Sequence, residues 1–156
     1  MDYLMEICHL TDSFLHDYPE SKYPELMYKK GRPYTCLLIK THYDYFICLP
    51  FRSSIQHKYA YMFKSSERSR TMNSGIDYSK AVIIRETKYL SDHSTVVDDD
   101  EYKEAITHMD LIVDSALEYI EDYIRHVKGI KLLHDREFER RYRYSTLPYF
   151  HDLLGL

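Results

Sequence analysis

The chain has 156 residues, 44% of them hydrophobic and 29% charged, and a formal net charge of −4. This composition is typical of one globular domain and excludes a disordered chain. No apolar run approaches the roughly 18–20 residues that cross a bilayer, and the first residues lack a basic, apolar leader, so we expect a cytoplasmic protein. Three cysteines, Cys8, Cys36 and Cys48, fit reduced core positions better than a zinc site.

The first half of the chain predicts short β-strands separated by loops, because runs of β-branched and aromatic residues alternate with turn-forming residues. Thr11 offers an N-cap for a short helix, and three prolines interrupt residues 19–33. The predicted elements are a strand at 3–10, a helix ending near 18, a loop at 19–33, hairpin strands at 34–40 and 43–49 with a tight turn at Thr41-His42, a strand at 59–64, a polar loop at 65–75 and a strand at 81–84.

The second half of the chain changes to a helical period. From Tyr102 to Val127, apolar residues recur at spacings of three and four, which predicts one long amphipathic helix near 100–128 with its acidic residues on the solvated face. Further helices are predicted at 132–142 and 145–154. Strands followed by helices indicate an α+β fold, with all 156 residues in a single compact domain and an antiparallel sheet flanked by helices.

Charge is distributed unevenly along the chain. Residues 52–88 hold eight Lys and Arg against three acids, and residues 125–143 hold seven against three. The acidic excess comes from residues 92–122, which have one Lys and eleven acids. The two basic segments can therefore share a face that binds nucleic acid, and the 17 tyrosines include candidates for stacking on unpaired bases.

The densest chemistry of the chain follows an apolar run that we expect to end at Pro50. Arg52, Ser53, His57 and Lys58 then leave the edge of a buried element within a few residues. A guanidinium binds phosphate oxygens through paired, charge-assisted bonds, and an imidazole can carry a proton at neutral pH. This combination favours RNA cleavage by the 2′-hydroxyl group without a metal.

Each of these side chains has a predicted role and a simpler alternative. His57 is the candidate proton carrier, and Arg52 and Arg32 are expected to clamp the phosphate. Ser53 is expected to donate to the same phosphate or to orient His57, and Lys80 to add positive charge. The alternatives are a surface histidine, an arginine paired with an acid, a turn-capping serine and a solvated lysine. No histidines have a metal-ligand spacing, so no metal or other cofactor is expected.

These motifs follow one another in a recognisable order. Arg32-Pro-Tyr precedes the hydrophobic hairpin, Pro-Phe-Arg-Ser-x-Ile-x-His occupies 50–57, and Gly-Ile-Asp-Tyr-Ser-Lys-Ala-Val-Ile occupies 75–83 before the predicted long helix. Over roughly residues 1–128 this order resembles the endoribonuclease toxins of type III toxin–antitoxin systems, the ToxN and AbiQ superfamily. The resemblance is greatest to the CptN and TenpN types, although the specific motifs cover only a small part of that span.

The resemblance implies a fold, an activity and a partner. It implies a strongly twisted antiparallel β-core flanked by helices, and metal-independent RNA cleavage that leaves a cyclic phosphate and a 5′-hydroxyl group. It implies that the toxin cuts a repeat-encoded RNA pseudoknot from its own precursor and is inhibited by that RNA in a closed assembly. The implied partners are this antitoxin RNA and cellular mRNA, with no role for DNA or a membrane.

The resemblance also implies roles for individual residues. Tyr28 matches a tyrosine in the loop before the family's hairpin, and Arg32 matches a basic residue four positions later. Arg52 and Ser53 stand where the ToxN branch has a pair of hydroxyl residues. Ile55 stands where that branch has its catalytic lysine, so the proton-transfer group is not carried over. The substitutes for that lysine are His57, Lys58 and Lys80.

A second group of candidate RNA-binding residues lies near the C-terminus, where cations and aromatic residues alternate over 136–144. A solvated helix face with aromatic side chains packed beneath it explains the same pattern. The predicted RNA-binding residues are Tyr28, Arg32, Lys58, Lys64, Arg136, Arg140 and Tyr142. Two other functions remain open: a structured-RNA-binding module that does not cut, and a protein-interaction adaptor that uses the acidic helix.

Overall fold

The computed structural model describes residues 4–29, 31–91 and 97–156, which form an α+β domain with one antiparallel sheet, as the sequence predicts. Residue 3 of the predicted first strand lies outside the described residues. The strands are β1 (Leu4–His9), β2 (Thr35–Lys40), β3 (Phe46–Arg52), β4 (Ala60–Met62), β5 (Gly75–Asp77) and β6 (Val82–Ile84). The helices are α1 (Asp12–Asp17), α2 (Glu67–Met72), α3 (Asp99–Thr107), α4 (Met109–Val127), α5 (Asp135–Tyr142) and α6 (His151–Leu154).

The central strand of the sheet is β3. The strands lie in the order β1-β2-β3-β5-β4, and β6 also pairs with β3. The first part of β3 pairs with β6, whereas Phe51 and Arg52 pair with Ile76 and Gly75 of β5. The prediction that this strand ends at Pro50 is therefore wrong, because pairing with β5 continues it by two residues. Arg52 thus extends from the end of a paired strand instead of from a loop.

The hairpin between β2 and β3 is wider than predicted. Residues 41–45 connect the two strands, so the tight turn at Thr41-His42 is wrong. The Thr41 hydroxyl accepts the backbone N–H of Tyr43 at 3.1 Å and lies 3.3 Å from the carbonyl oxygen of Tyr45, to which it donates. The side chain of Thr41 therefore replaces the backbone pairing that a two-residue turn provides.

The predicted polar loop at 65–75 contains a helix, α2, and its last residue, Gly75, begins the strand β5. The Ser66 hydroxyl accepts the backbone N–H of Ser69 at 2.9 Å, which satisfies one of the free amides at the start of α2. Asn73 ends the helix in the left-handed conformation, with φ 46°. Ser and Asn at these two positions are the common signals for the start and end of a helix, so this helix was detectable.

The predicted long helix is divided at His108 into α3 and α4. The apolar spacing predicts Tyr102 and Ile106 in the core, but both are more than 40% exposed. The buried face of α3 instead carries Glu101, Glu104 and Ala105. The prediction that the acids of this segment lie on the solvated face is therefore wrong for the two glutamates.

The buried carboxylate of Glu104 holds the segment that follows β4. It accepts the Tyr61 hydroxyl at 2.7 Å and the backbone N–H groups of Lys64 and Ser65. Burial raises the pKa of Glu104, but the hydrogen bonds from Tyr61, Ser65 and Lys64 together lower it by more than burial raises it. The net pKa is therefore below its ordinary value. The acidic residues of α3 therefore have a structural role that needs no partner protein.

Helix α4 supplies the helical side of the core, as its period predicts. Its buried residues are Ile112, Val113, Ala116, Tyr119, Ile120 and Tyr123. These belong to the same apolar cluster as the inward-facing residues of β2, β3 and β6. The predicted C-terminal helices are confirmed as α5 and α6. Among the described residues, no helix has both the length and the apolar content needed to cross a membrane.

Replacing Gly75 with alanine is expected to lower the free energy of unfolding by about 1–3 kcal/mol. A Cβ atom at Gly75 would overlap the backbone oxygen of Tyr61 and lie 3.2 Å from the Cα atom of Met62. Because the obstacle is the backbone of β4, the two strands must separate. Urea unfolding followed by circular dichroism measures the loss.

Gly129→Ala is the matched control for this substitution. Gly129 has a positive φ of 72° but no atom within 4 Å of a Cβ position. Its replacement should lower the free energy of unfolding only by the cost of placing a side chain at a positive φ angle, about 1 kcal/mol. Equal losses for the two variants would show that strand separation at Gly75 contributes nothing.

Candidate functional site

A cavity of about 330 Å³ lies beside the end of β3. One wall is formed by the loop before β2, the floor by residues 50–53, and the opposite wall by α2 and the start of α3. The volume falls within the range of small-ligand sites. The walls come from segments that are far apart in the sequence, and the central sheet brings them together.

Four of the predicted site residues line this cavity: Tyr28, Arg32, Arg52 and Ser53. Its other charged lining residues are Lys29, Arg68, Asp98 and Glu101. Arg32 and Lys29 are exposed and form no ion pair within the described part of the chain. Positive charge therefore exceeds negative charge in the cavity, as an anionic ligand requires.

The guanidinium of Arg52 is held by a buried carboxylate on the neighbouring strand. Arg52 Nη1 donates to Asp77 Oδ2 at 3.3 Å, and the Asp77 side chain is only 1% exposed. This is the only hydrogen bond of the Arg52 side chain among the described residues. Since a guanidinium has five N–H groups, most of them remain available to a ligand.

The same carboxylate oxygen holds His57. His57 Nε2 lies 3.3 Å from Asp77 Oδ2, and His57 Nδ1 accepts the backbone N–H of Tyr59 at 3.0 Å. Because Nδ1 is the acceptor, the proton of the neutral ring lies on Nε2 and is directed at Asp77. The imidazole and the Arg52 guanidinium thus meet at one oxygen atom of Asp77, a contact that the sequence does not predict, and His57 does not line the cavity.

Asp77 is the organising residue of this cluster. Its other oxygen, Oδ1, accepts the Ser79 hydroxyl at 2.6 Å and the Ser79 backbone N–H at 2.9 Å. Burial raises the pKa of Asp77, but hydrogen bonds from His57 and Ser79 and the charge of Arg52 hold the net pKa below its ordinary value. Asp77 is therefore an ionised carboxylate with four donors around it.

Arg68 extends from α2 over the opposite side of the cavity. Its Nε atom lies 3.7 Å from Glu101 Oε2, and Nε and Nη2 are buried without a hydrogen-bond partner among the described residues. Glu101 Oε2 already accepts the hydroxyl groups of Ser66 and Ser74. The Arg68 side chain is 33% exposed and lines the cavity, so its positive charge can attract an anion there.

Two tyrosines close the inner wall through hydroxyl groups that are already used. The Tyr28 hydroxyl donates to the carbonyl oxygen of Tyr18 at 2.7 Å, and the Tyr34 hydroxyl lies 3.4 Å from the carbonyl oxygen of Lys80. Burial raises the pKa of both phenols above the ordinary value. They are therefore suited to shaping the cavity and not to donating a proton at neutral pH.

Lys80 does not lie at the cavity, contrary to the prediction. Its ammonium group donates to Glu25 Oε1 at 3.2 Å and to the carbonyl oxygen of Tyr144 at 2.6 Å, and its side chain is 5% exposed. Burial lowers its pKa, an effect that the Glu25 carboxylate opposes. Lys80 ties the loop before β2 to the C-terminal segment.

The structure places the remaining predicted residues away from the cavity. Lys58 and Lys64 are exposed, and the Lys58 ammonium lies 5.9 Å from the centre of the Tyr59 ring. Arg136 and Arg140 are exposed on α5, where Arg140 pairs with Glu137 at 2.9 Å. These four residues can contact RNA only outside the cavity.

Tyr142 is not available for base stacking. It is 4% exposed, and its hydroxyl donates to the carbonyl oxygen of Tyr119 at 2.7 Å. Its ring packs against Tyr119, Tyr123 and Phe138. The prediction that Tyr142 binds RNA is therefore wrong, because the aromatic residues of α5 pack beneath the helix. Tyr144, which is 60% exposed and contacts Arg143, is the exposed aromatic residue of this segment.

Comparisons of the chain with models of protein families, with curated proteins and with solved structures gave no match. The candidate function of this chain is therefore derived from its residues and their geometry.

Proposed function

We propose that the chain is the toxin of a type III toxin–antitoxin system: a metal-independent, sequence-specific endoribonuclease of the cytoplasm. In this proposal it cuts a repeat-encoded RNA pseudoknot from its precursor and is then inhibited by that RNA. The observation that carries the proposal is the cavity, which is lined by Arg32, Arg52, Ser53 and Arg68. Three guanidinium groups at one cavity suit the phosphodiester backbone of a nucleic acid.

Cleavage would use the ribose 2′-hydroxyl of the RNA itself. The 2′-oxygen loses its proton and forms a bond to phosphorus while the bond from phosphorus to the 5′-oxygen breaks and the 5′-oxygen gains a proton, which gives a cyclic phosphate and a 5′-hydroxyl group. Arg52 and Ser53 would donate hydrogen bonds to the non-bridging phosphate oxygens, where negative charge accumulates in the transition state. Asp77 fixes the guanidinium before the substrate binds.

His57 is the candidate group for moving the proton. Its side chain is 33% exposed and shares the Asp77 carboxylate with Arg52, which does line the cavity. To accept the 2′-hydroxyl proton, His57 Nδ1 must release the backbone N–H of Tyr59, to which it is 3.0 Å away. The proposal therefore requires a shift of the 57–59 segment when RNA binds.

A structured-RNA-binding module that does not cut is the second candidate. One observation favours it: both ring nitrogens of His57 and the ammonium of Lys80 are engaged by the protein. In that case the cavity binds the RNA backbone, and neither His57 nor Lys80 is free to transfer a proton. Both candidates predict binding that weakens with salt, but only the first predicts RNA fragments.

The two candidates are distinguished by incubating the purified chain with A-rich RNA in EDTA. Fragments with cyclic phosphate and 5′-hydroxyl ends, produced by the wild type and lost in His57→Ala, support the toxin. Bound but intact RNA supports the binding module. Cleavage that EDTA abolishes, or that His57→Ala leaves unchanged, contradicts the mechanism, and absence of RNA binding contradicts both functions.

The variant Arg68→Gln is expected to weaken RNA binding about tenfold and to reduce the slope of log affinity against log salt by about one phosphate contact. The reason is that Arg68 lies at the cavity with two buried nitrogens that have no hydrogen-bond partner in the described part of the chain. Fluorescence anisotropy with labelled RNA at several salt concentrations measures both quantities.

Arg70→Gln is the matched control, since Arg70 belongs to the same helix but is exposed and does not line the cavity. It removes the same charge from the protein. Equal salt slopes for the two variants would mean that Arg68 acts only through the overall electrostatic field of the protein and does not contact a phosphate directly.

A further inference from the structure

The three cysteines of the chain form one cluster in the sheet. Cys8 of β1 lies directly opposite Cys36 of β2, and Cys48 of β3 lies opposite Leu38, two residues along β2. Side chains two residues apart on a strand share a face, so all three thiols point to the same side of the sheet. Their sulfur atoms all lie within 4.8 Å of one another, and no cysteine is more than 4% exposed.

The thiols also interact through hydrogen bonds. Hydrogen bonds from the Cys36 and Cys48 thiols lower the pKa of Cys8, whereas hydrogen bonds raise the pKa of Cys36 and burial raises the pKa of Cys48. The three sulfur atoms are therefore in direct contact with one another. A thiolate is the form of cysteine that binds metals and metalloids.

We propose that Cys8, Cys36 and Cys48 form a binding site for a sulfur-preferring ion that takes three ligands. Trivalent arsenic and monovalent copper belong to this class, since soft ions prefer thiolate sulfur. Zinc fits less well, because it takes four ligands and no further His, Cys, Asp or Glu side chain among the described residues joins this group.

The distances in the cluster are compatible with such an ion. Three sulfur atoms with bonds of about 2.3 Å lie roughly 4 Å apart around a trigonal planar ion such as copper(I). They lie closer together around arsenic(III), because its lone pair makes the three bonds pyramidal. The sulfur atoms within 4.8 Å of one another therefore need to move by less than about 1 Å. Rotation of the side chains supplies that movement without a change in strand register.

Charge favours the trivalent ion. When arsenous acid binds three thiols, three arsenic–oxygen bonds are replaced by three arsenic–sulfur bonds, and the thiol protons leave in three water molecules. The oxidation state does not change, and the product carries no net charge. Monovalent copper with two or three thiolates leaves a negative charge in an apolar core, which is costly. We therefore expect arsenic(III) to bind more tightly than copper(I).

Access to the buried site is provided by the edge of the sheet. Residues 4–8 of β1 pair only with β2 among the described residues, whereas the carbonyl oxygen of His9 also accepts the backbone N–H of Ser91 at 3.0 Å. Local opening of this edge exposes Cys8 and then Cys36. Once bound, the ion would connect β1, β2 and β3. Because Cys48 and Arg52 belong to the same strand, loading the site would stabilise the strand that positions Arg52.

The proposal is tested by adding arsenite to the reduced, folded chain in a phosphine reductant and recording native mass spectra. The mass shift counts the thiol protons lost for each arsenic atom, and the sequence has no other cysteine. We expect one arsenic with the loss of three protons, and a higher melting temperature, because the folded chain presents the site. A parallel titration with copper(I) ranks the two ions.

The variant Cys48→Ala should bind arsenite at least about tenfold more weakly, with the loss of only two protons. If this variant does not fold, the proton count of the wild type decides alone. Loss of two protons in the wild type, a lowered melting temperature, or no binding of either ion would overturn the proposal. This outcome is independent of RNA cleavage, so the proposed function is tested separately.

Discussion

Replacing Arg52 with lysine is expected to lower the rate of RNA cleavage by about 100- to 1,000-fold while leaving the chain folded. Lysine keeps the positive charge but loses the planar fork that can hold Asp77 and a phosphate at the same time. In the wild type, Arg52 uses one N–H group on Asp77 Oδ2 and has the others available. Single-turnover cleavage at saturating protein measures the rate of the chemical step.

Arg85→Lys is the control for this substitution. Arg85 is 48% exposed and pairs with Asp44, which is 74% exposed, and neither residue lines the cavity. The control should therefore cleave at the rate of the wild type. If Arg52→Lys lowered only RNA affinity and left the saturated rate unchanged, Arg52 would be a binding residue without a role in the transition state.

Local sequence pattern was sufficient for most of the fold. The hairpin strands, α1 and α4 were predictable because their patterns repeat over several residues. The pattern failed in α3, where Tyr102 and Ile106 continue the apolar spacing but are exposed. In their place Glu101 and Glu104 face inward, because hydroxyl and backbone donors from residues 61–74 satisfy their carboxylates. Such partners are distant in sequence, so no local period can reveal them.

Prediction of the candidate site was limited in the same way, because its residues come from segments that are distant in the sequence. Tyr28, Arg32, Arg52 and Ser53 were predicted to meet and do line one cavity. Lys80 was placed there because its charge could stabilise the phosphate and because it could substitute for the catalytic lysine of the similar toxins, but the 78–80 turn directs its side chain to Glu25 and Tyr144. Arg68 was missed because residues 65–75 were predicted to be a loop, although Ser66 and Asn73 signal the helix that presents it. The residue types needed to bind a phosphate could be predicted from the sequence, but the fold determines which of these residues lie together at the cavity.

Replacing Asp77 with asparagine is expected to lower the free energy of unfolding at neutral pH by about 3–5 kcal/mol. The variant leaves the guanidinium of Arg52, 21% exposed, without its counter-charge and turns an amide N–H group towards donors that the carboxylate accepts. Cleavage should fall with stability, because Arg52 and His57 lose the atom that they share. Urea unfolding and cleavage assays at about pH 7 measure both effects.

The pH dependence of this difference identifies its cause. The pKa of Asp77 is lower in the folded chain than the ordinary value of 3.8, so its stabilisation is present above pH 3.8 and is lost as pH falls through the folded pKa. Wild type and Asp77→Asn should therefore converge in stability below pH 3.8. Glu104 also has a lowered pKa, but it is present in both proteins and cancels in the difference.

The variant Asp44→Asn, which breaks an exposed pair, should cost less than about 1 kcal/mol at neutral pH. A gap between wild type and Asp77→Asn that stays constant from neutral to acid pH would mean that asparagine destabilises by shape alone, and that the charge of Asp77 does not hold Arg52 and His57 in place.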